Sequence, residues 1–357
     1  MRTTLLAIAA LAAFPISRAD AFEMRTQTWS TNTVTLRVNP DVQATLPDHF
    51  DTLLDAEAKV NGNASALRFD LVIDNDVISL NNNGESELNF TNDSTLLCGS
   101  LGCTWIISDA THILEADVFL DLDYAWTLDD VKTNSIAYGG PARPLINTAM
   151  HEMLHTLGAK HENDAINIMG NAWNVVSTNG NNTEVAVSED TTAGLVTVNG
   201  PRATTIRDVS VMHWKLDAAG TGTSAYSKHM RSQLFDLAGN ELPKILDAND
   251  EPIYFASAGD RIQVEMTLEN RGSNTEVTGL GVFWSSNSTI STLDTLLFSS
   301  NATLGVNTPF EHKVTVTVPA GTVGTTYYVG AIIDRLGAVS ESNEINNAAY
   351  IAAIELQ

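Results

Sequence analysis

The segment HEMLHTLGAKH, residues 151–161, holds three histidines and a glutamate at spacings that suit a metal site. His151 and His155 are four positions apart, so on a helix both imidazoles project from one face and can bind one ion. Gly158 can leave the helix in a left-handed conformation, which turns the chain and brings His161 to the same ion. Three neutral nitrogen ligands leave a fourth position for water, which is typical of catalytic rather than structural zinc.

Glu152 adjoins the first histidine and is placed to reach a water at the metal rather than the metal itself. A carboxylate in that position is suited to general base catalysis. Two alternatives stay open: helix histidines that only pack or face solvent, and a zinc site without activity. The pattern favours a hydrolytic zinc centre with Glu152 as its catalytic residue and with His151, His155 and His161 as ligands.

Hydrophobic spacing predicts the elements that position this segment. Pro144 suits the first turn of a helix that continues to about Leu157 and carries the first two histidines. Further helices are predicted at residues 48–60 and 187–198, and strands at residues 34–38, 67–73, 86–90 and 113–121. Strands that alternate with three helices indicate an α+β or α/β domain over about residues 22–205.

The pattern changes to strands alone over residues 256–357. Apolar residues alternate with polar ones from Ile262 to Leu268, and turn residues follow at 270–273. Regular short strands separated by such turns indicate an all-β sandwich. Residues 206–255 form a linker or extra strands and are assigned to neither domain.

The composition limits what the chain binds and how many domains it forms. Its 357 residues include 43 acidic and 19 basic side chains, which gives a formal net charge of −24. At roughly 100–200 residues per domain, this length predicts two domains. Nucleic acid and anionic membranes are disfavoured as partners, because both require clustered lysine and arginine. A charge of this sign keeps an exported protein soluble.

Residues 1–21 have the features of a signal peptide: a basic start, a short apolar run and a small-x-small cleavage site. The run is too short to span a bilayer, and no later stretch approaches the ~20 apolar residues needed, so no transmembrane anchor is predicted. We therefore expect a secreted chain that begins near Phe22. In an oxidising compartment the two cysteines, Cys98 and Cys103, are predicted to form a disulfide.

The pattern H-E-x-x-H-x-x-G-x-x-H, followed by a methionine turn, resembles that of the metzincin zinc peptidases. The turn corresponds to Asn167-Ile168-Met169-Gly170, with Met169 eight residues after His161. The resemblance implies one catalytic zinc, Met169 beneath it as a hydrophobic floor, and a protein or peptide substrate. It also implies a fold class: an α+β metzincin-type catalytic domain, with a twisted mixed sheet and three helices, followed here by the Ig-like sandwich.

Within the metzincins the chain is most similar to the matrixin branch, which has an acidic stretch like that of residues 121–127 before the active-site helix. Phe119 stands where matrixins place a structural-zinc histidine, which implies no second zinc. Tyr124 replaces an acidic calcium ligand. That leaves Asp121 and Asp123 as calcium candidates, beside the alternative of a solvated loop.

These features together predict a zinc endopeptidase. Zinc would lower the pKa of its water toward ~7 and polarise the scissile carbonyl, while Glu152 would carry the water proton to the leaving amine. The strand at residues 113–120 is expected to be the edge against which an extended peptide pairs. Two other functions stay open: a surface adhesion or matrix-binding protein that grips peptides without cutting them, and a zinc hydrolase that acts on another bond. The presence of Glu152 favours the peptidase, because a binding protein needs no general base.

The C-terminal segment resembles the bacterial adhesion-related Ig-like module called CARDB. The resemblance rests on LENRG at residues 268–272, on residues 327–334 and on ESNEINN at residues 341–347. It implies a binding or spacer role, with a surface or matrix polymer as partner. Glu341 and Glu344 are interpreted either as calcium ligands or as part of an exposed hairpin.

Overall fold

The computed structural model describes residues 22–74, 82–162, 168–170, 177–214, 231–249, 251–308 and 310–357. The protein is mostly β, with 41% strand and 16% helix. The predicted fold class, an α+β metzincin-type domain with three helices followed by a sandwich, is therefore wrong. Strands dominate, and the described residues contain four α-helices. The predicted signal peptide, residues 1–21, lies outside the described residues.

The helix that sequence analysis missed is α1 (Pro40–Thr45), which has only six residues. It begins with a proline, and the Asn39 side chain caps it by accepting a hydrogen bond from the Asp41 amide at 2.8 Å. Val42 is its one buried residue. A helix with a single buried side chain shows no hydrophobic periodicity, and periodicity was the basis of the prediction.

The three longer helices are α2 (Pro47–Asn61), α3 (Leu145–Thr156) and α4 (Glu189–Asn199). Each coincides with a predicted helix to within three residues at either end. Eleven of the twelve residues of α3 are buried. Polar side chains on so enclosed a helix need partners in the protein interior. Within the described part of the chain, no α-helix combines the length and apolar composition that a membrane crossing needs.

Five strands form the sheet against which α2 and α3 pack: β1 (Thr33–Val38), β2 (Arg68–Ile73), β3 (Ser86–Thr91), β4 (Gly102–Ser108) and β5 (Ile113–Asp121). Their order is β2-β1-β3-β5-β4, and every neighbouring pair is parallel except β4 with β5. The core includes Leu36, Leu88 and Val118 from the strands and Met150 and Met153 from α3, all fully buried. Burying an apolar side chain of this size stabilises the fold by about 1.5–3 kcal/mol.

The expectation that residues 113–120 form the sheet edge is wrong. β5 lies between β3 and β4, and seven of its nine residues are buried, so it is an interior strand. The sequence of β5 includes Glu115 and Asp117, and both are buried, so the polar residues of this strand do not mark an exposed edge. The outer strand is β4, whose residues are mostly half-buried and show no clear alternation.

Two short ribbons lie around α3. β6 (Trp126–Thr127) pairs with β7 (Arg143–Pro144), and β8 (Ser177–Asn179) pairs with β9 (Asn182–Glu184). Two 3-10 helices, Lys132–Asn134 and Ile136–Tyr138, lie between β6 and β7. The first ribbon places Arg143 immediately before the first residue of α3.

Ten further strands form two sheets in the C-terminal part. One sheet holds β10 (Val209–Met212), β11 (Leu234–Phe235), β14 (Arg261–Asn270) and β17 (Phe310–Thr317). The other holds β12 (Lys244–Leu246), β13 (Pro252–Ala256), β15 (Glu276–Ser285), β16 (Thr295–Leu304), β18 (Thr326–Ile332) and β19 (Ala348–Leu356). β10 and β11 both pair with β14, so residues 206–255 supply strands to these sheets.

Candidate metal centre

α3 and the turn after it bring three histidines together. His151 and His155 are one helical turn apart, and their rings meet edge to face with centroids 4.7 Å apart. Gly158 has a φ of +95°, a left-handed conformation that favours glycine, and it turns the chain back toward the helix. His161 thereby reaches the other two, and the three Nε2 atoms lie 3.1 Å apart in every pairing. We call these residues the histidine trio.

The trio has the geometry and donor set of a tetrahedral metal site. Two nitrogens that bind zinc at about 2.0–2.1 Å lie roughly 3.3 Å apart, close to the observed separation. Nδ1 of His151 donates to the Ile168 carbonyl at 2.7 Å, and Nδ1 of His155 donates to the Ala159 carbonyl at 2.8 Å. These bonds fix the tautomer in which both Nε2 atoms carry lone pairs. Two lone pairs that face each other at this distance repel unless a cation lies between them.

Burial keeps the trio in its neutral form. Desolvation lowers the pKa of His151 to about 4 and that of His155 well below its usual value, although the hydrogen bonds to carbonyls oppose both shifts. Desolvation also lowers the pKa of His161, the most exposed of the three. Neutral imidazole is the form that binds metal, so the trio needs no deprotonation near pH 7.

Glu152 lies beside the trio and is 6% exposed. Its Oε2 accepts a hydrogen bond at 2.7 Å from Oγ1 of Thr104, on the outer strand β4. Desolvation raises the pKa of Glu152 to about 7, and the hydrogen bond from Thr104 opposes that shift. A carboxyl group whose pKa is near neutral can both take and return a proton.

Gly102 allows β4 to approach α3 closely. A Cβ at this position would lie 2.9 Å from Cγ of Glu152 and 2.9 Å from Cγ2 of Thr148, well inside normal carbon contact distance. Sequence analysis named neither Gly102 nor Thr104, because Thr104 lies 48 positions before its partner and the contact exists only in the fold. A glycine inside a strand is the one local feature that marks such a close approach.

Met169 follows the residue whose carbonyl orients His151. It is 1% exposed and belongs to the apolar core of the N-terminal part. Its neighbour Ile168 supplies the carbonyl that orients His151, and the Met169 carbonyl accepts a hydrogen bond from the Glu162 amide at 3.0 Å. Asn167, the first residue of the predicted methionine turn, lies outside the described residues.

The trio opens into a cleft of about 480 Å³, a volume in the range of ligand sites. Thr104 and its neighbours on β4 line one side. The predicted disulfide between Cys98 and Cys103 is confirmed, and both cysteines line the cleft. The disulfide ties the beginning of β4 to the turn that precedes it.

The calcium candidates Asp121 and Asp123 lie at a turn. Oδ1 of Asp121 accepts hydrogen bonds from the amides of Asp123 at 2.8 Å and of Tyr124 at 3.2 Å. The carboxylate of Asp121 therefore closes its own turn, and calcium binding there stays a prediction. Phe119, which stands where matrixins place a structural-zinc histidine, is a buried apolar residue.

A second group of three ligand-type side chains, Asp334, Glu341 and Glu344, lies in the sandwich, and we call it the acidic trio. Three of their oxygens lie within 4.8 Å of one another. Asp334 accepts hydrogen bonds from two amides of the following turn at 3.0 and 2.9 Å. The Asn347 side chain donates to both glutamates, at 2.6 and 3.3 Å. Sequence analysis named the two glutamates but missed Asp334, which no local pattern connects with them.

No protein-family model matches the sequence, and no curated protein matches it. Solved structures that resemble the chain include the crystal structure of a CARDB domain from Pyrococcus furiosus in complex with di-metal ions. Its identity is 15%, its TM-score is 0.26, and the match covers 43% of this chain and 90% of that one. The solution structure of the same domain matches with the same identity and TM-score, and covers 43% of this chain and 97% of that one.

A glycosyl hydrolase family 2 member from Bacteroides cellulosilyticus also matches, with 15% identity and a TM-score of 0.21, over 28% of this chain and 13% of that one. Two of these three structures are CARDB domains, and none is a metzincin or matrixin domain.

Proposed function

We propose that the protein is an exported zinc endopeptidase. The observation that carries the proposal is the histidine trio, three Nε2 atoms 3.1 Å apart in every pairing, beside the buried carboxyl group of Glu152. A zinc ion held there would supply a Lewis acid and a water activated near neutral pH. The motif's resemblance to the metzincin peptidases, and to their matrixin branch, supports the same function.

The surrounding groups have separable tasks. The carbonyls of Ile168 and Ala159 orient the imidazoles, which keeps the three nitrogens converged on one point. Glu152 takes the proton of the attacking water and returns it to the leaving amine, a role suited to a pKa of about 7. Thr104 acts as a positioning residue, because its hydroxyl holds the carboxyl group of Glu152 in one orientation.

The outer strand β4 favours a peptide over other substrates. It has β5 as its one strand partner among the described residues, and its residues line the cleft beside the trio. An extended peptide can pair with the remaining edge of such a strand through main-chain hydrogen bonds. Pairing of this kind carries no sequence preference, so specificity must come from the side chains of the cleft.

The proposal also includes secretion of the chain and a role for the sandwich. The features of residues 1–21 support export through a signal peptide. The CARDB resemblance of residues 256–357 supports a binding or spacer role toward a surface or matrix polymer.

Replacing Glu152 by glutamine tests the mechanism. Glutamine has the same size and still accepts the hydrogen bond from Thr104, so folding and zinc binding should persist. We expect kcat/KM for casein or a fluorogenic peptide library to fall by about 10²–10⁴-fold, because the general base is lost. Glu344→Gln, the same change at an exposed position of the sandwich, is the matched control and should cleave normally.

Equal cleavage by Glu152→Gln and the unmodified protein would contradict the assigned role. Bound zinc without cleavage of any peptide by the unmodified protein would contradict the endopeptidase and favour the surface-binding alternative.

A further inference from the structure

The cleft at the histidine trio is positive in a strongly negative protein. The chain has 43 acidic and 19 basic residues. Among the described residues that line the cleft, three are basic, Arg25, Arg143 and Lys160, and one is acidic, Glu152. A second groove of about 670 Å³ beside α2 is lined by five aspartates and by no basic residue. The acidic composition of the chain predicts an acidic lining for the cleft, like that of the groove. The positive charge of the cleft therefore needs an explanation of its own.

The basic residues lie at the two ends of α3. Arg143 belongs to β7, whose pairing with β6 holds it immediately before the helix. Arg25 lies at the other end, where its amide donates to the Gly158 carbonyl at 2.8 Å, and Lys160 follows the same turn. A helix of twelve residues is about 18 Å long, a distance that five or six residues of extended peptide cover. An extended peptide of about six residues is therefore long enough to reach both groups of cations, which both line the cleft.

The two arginines have the properties of carboxylate-binding groups. Desolvation lowers the pKa of Arg143 to about 10, so the guanidinium is partly withdrawn from water and still charged at neutral pH. Nε of Arg25 is buried and has no hydrogen-bond partner among the described residues. A guanidinium binds a carboxylate through two parallel hydrogen bonds, and the attraction grows as water is excluded. Lys160 should attract a peptide carboxylate less strongly, because its side chain is 48% exposed and its Nζ lies 4.0 Å from Oε2 of Glu23.

We propose that this site selects peptides that carry aspartate or glutamate on both sides of the scissile bond. Arg143 and Arg25 are the specificity-determining residues, one for each side. The inference rests on the proposed peptidase function, since it assigns substrates to the same cleft. We expect the cleft to exclude basic peptides, because the cations at both ends of α3 would repel their lysine or arginine side chains.

The test separates binding from cleavage. Fluorescent peptides of one sequence, with aspartate, asparagine or lysine at the flanking positions, are titrated against the Glu152→Gln protein and followed by anisotropy. We expect the aspartate peptide to bind roughly ten- to a hundredfold more tightly than the asparagine peptide, the range for charge-assisted hydrogen bonds. The preference should shrink as salt is added. The same peptides are then used as substrates of the unmodified protein.

Single replacements assign the effect to residues. Arg143→Gln and Arg25→Gln should each reduce the preference for the aspartate peptide over the asparagine peptide by about tenfold. Lys244→Gln removes one positive charge from β12 in the sandwich and is the matched control, for which we expect no change.

Two outcomes separate this inference from the proposed function. Cleavage without any preference for acidic flanks would overturn the inference and leave the peptidase intact. Acid-selective binding without cleavage by the unmodified protein would overturn the peptidase and support the cleft's selectivity.

Discussion

The two groups of converging ligand-type side chains differ in what their ligand atoms already bind. In the histidine trio the Nδ1 atoms of His151 and His155 donate to carbonyls, and every Nε2 atom faces the other two at 3.1 Å. In the acidic trio the carboxylates accept hydrogen bonds from the protein: Asp334 from Thr278 and backbone amides, and the glutamates from Asn347. Proximity of ligand-type groups is common to both trios.

The comparison shows that convergence alone does not define a metal site. A carboxylate that accepts several N–H or O–H donors stabilises its own loop, and a cation would compete with those donors. An imidazole whose second nitrogen is held by a carbonyl has its lone pair fixed toward its neighbours. The same criterion separates Asp121 from the histidine trio, because the Asp121 carboxylate accepts hydrogen bonds from the amides of its own turn. This difference supports the proposed metal site at the histidines, and it indicates that the acids stabilise their own loop.

The largest expected effect follows from removing one member of the histidine trio. His155→Ala should lower zinc affinity by more than about a hundredfold. Removing only the hydrogen-bond partner of a metal ligand already lowers metal affinity by about 10- to 100-fold. Metal content after dialysis and hydrolysis of a fluorogenic peptide measure the loss. His112→Ala, at an exposed histidine outside the motif, is the control. Unchanged zinc content in His155→Ala would remove the distinction between the two trios.

A smaller effect is expected at the acidic trio, on stability rather than on metal. Asp334→Asn keeps the side-chain size and suits the φ of +47° at this position, because asparagine tolerates left-handed backbone. The variant keeps one of the two oxygens that accept hydrogen bonds from the Thr278 hydroxyl and the turn amides and loses the other, which should lower the free energy of unfolding by about 1–3 kcal/mol.

Urea unfolding measures that change, and Asp51→Asn, the same exchange at an exposed position of α2, should stay within about 0.5 kcal/mol of the unmodified protein. Loss of a bound ion from Asp334→Asn, with stability retained, would show that the acidic trio is a metal site after all.

A further expected effect is a pH dependence of stability that arises from the buried carboxyl groups of β5. Asp117 and Glu115 are fully buried on β5. Desolvation, followed by the charges of Glu115 and Glu87, raises the pKa of Asp117 to about 8. The folded protein then holds a proton that the unfolded chain releases above about pH 4, so stability should fall as pH rises from about 4 to 8.

Asp117→Asn removes that proton and should flatten this part of the profile, which urea midpoints at pH 5 and pH 8 would measure. Asp51→Asn, an exposed change on α2, should keep the slope of the unmodified protein. An equally steep profile in Asp117→Asn would assign the pH dependence to other groups.

Local patterns were sufficient to predict the parts of the site that are close in sequence. The spacing of His151 and His155 on a helix, and the turn at Gly158 that returns His161, depend on neighbours within ten residues. α2 was predictable for the same reason, because its buried face repeats every three or four residues.

The predictions that failed concern features that depend on contacts between residues distant in sequence. Nothing local distinguishes an interior strand with two covered faces from an edge strand, so β5 was assigned to the edge and β4 was missed. Thr104, Arg25 and Arg143 reach the site only through strand pairing and the course of the N-terminal segment. The place of residues 206–255, which the sequence left unassigned, likewise depends on distant pairing, because β10 and β11 both pair with β14.

Zinc X-ray absorption of the zinc-loaded full chain tests the central claim most directly, because it counts the ligands of the bound ion. We expect about one zinc per chain, with three imidazole nitrogens and one oxygen at about 2.0–2.1 Å, and loss of the bound zinc in His155→Ala. A first shell of oxygens alone, or a protein that retains no zinc, would contradict the assignment of the metal site to His151, His155 and His161.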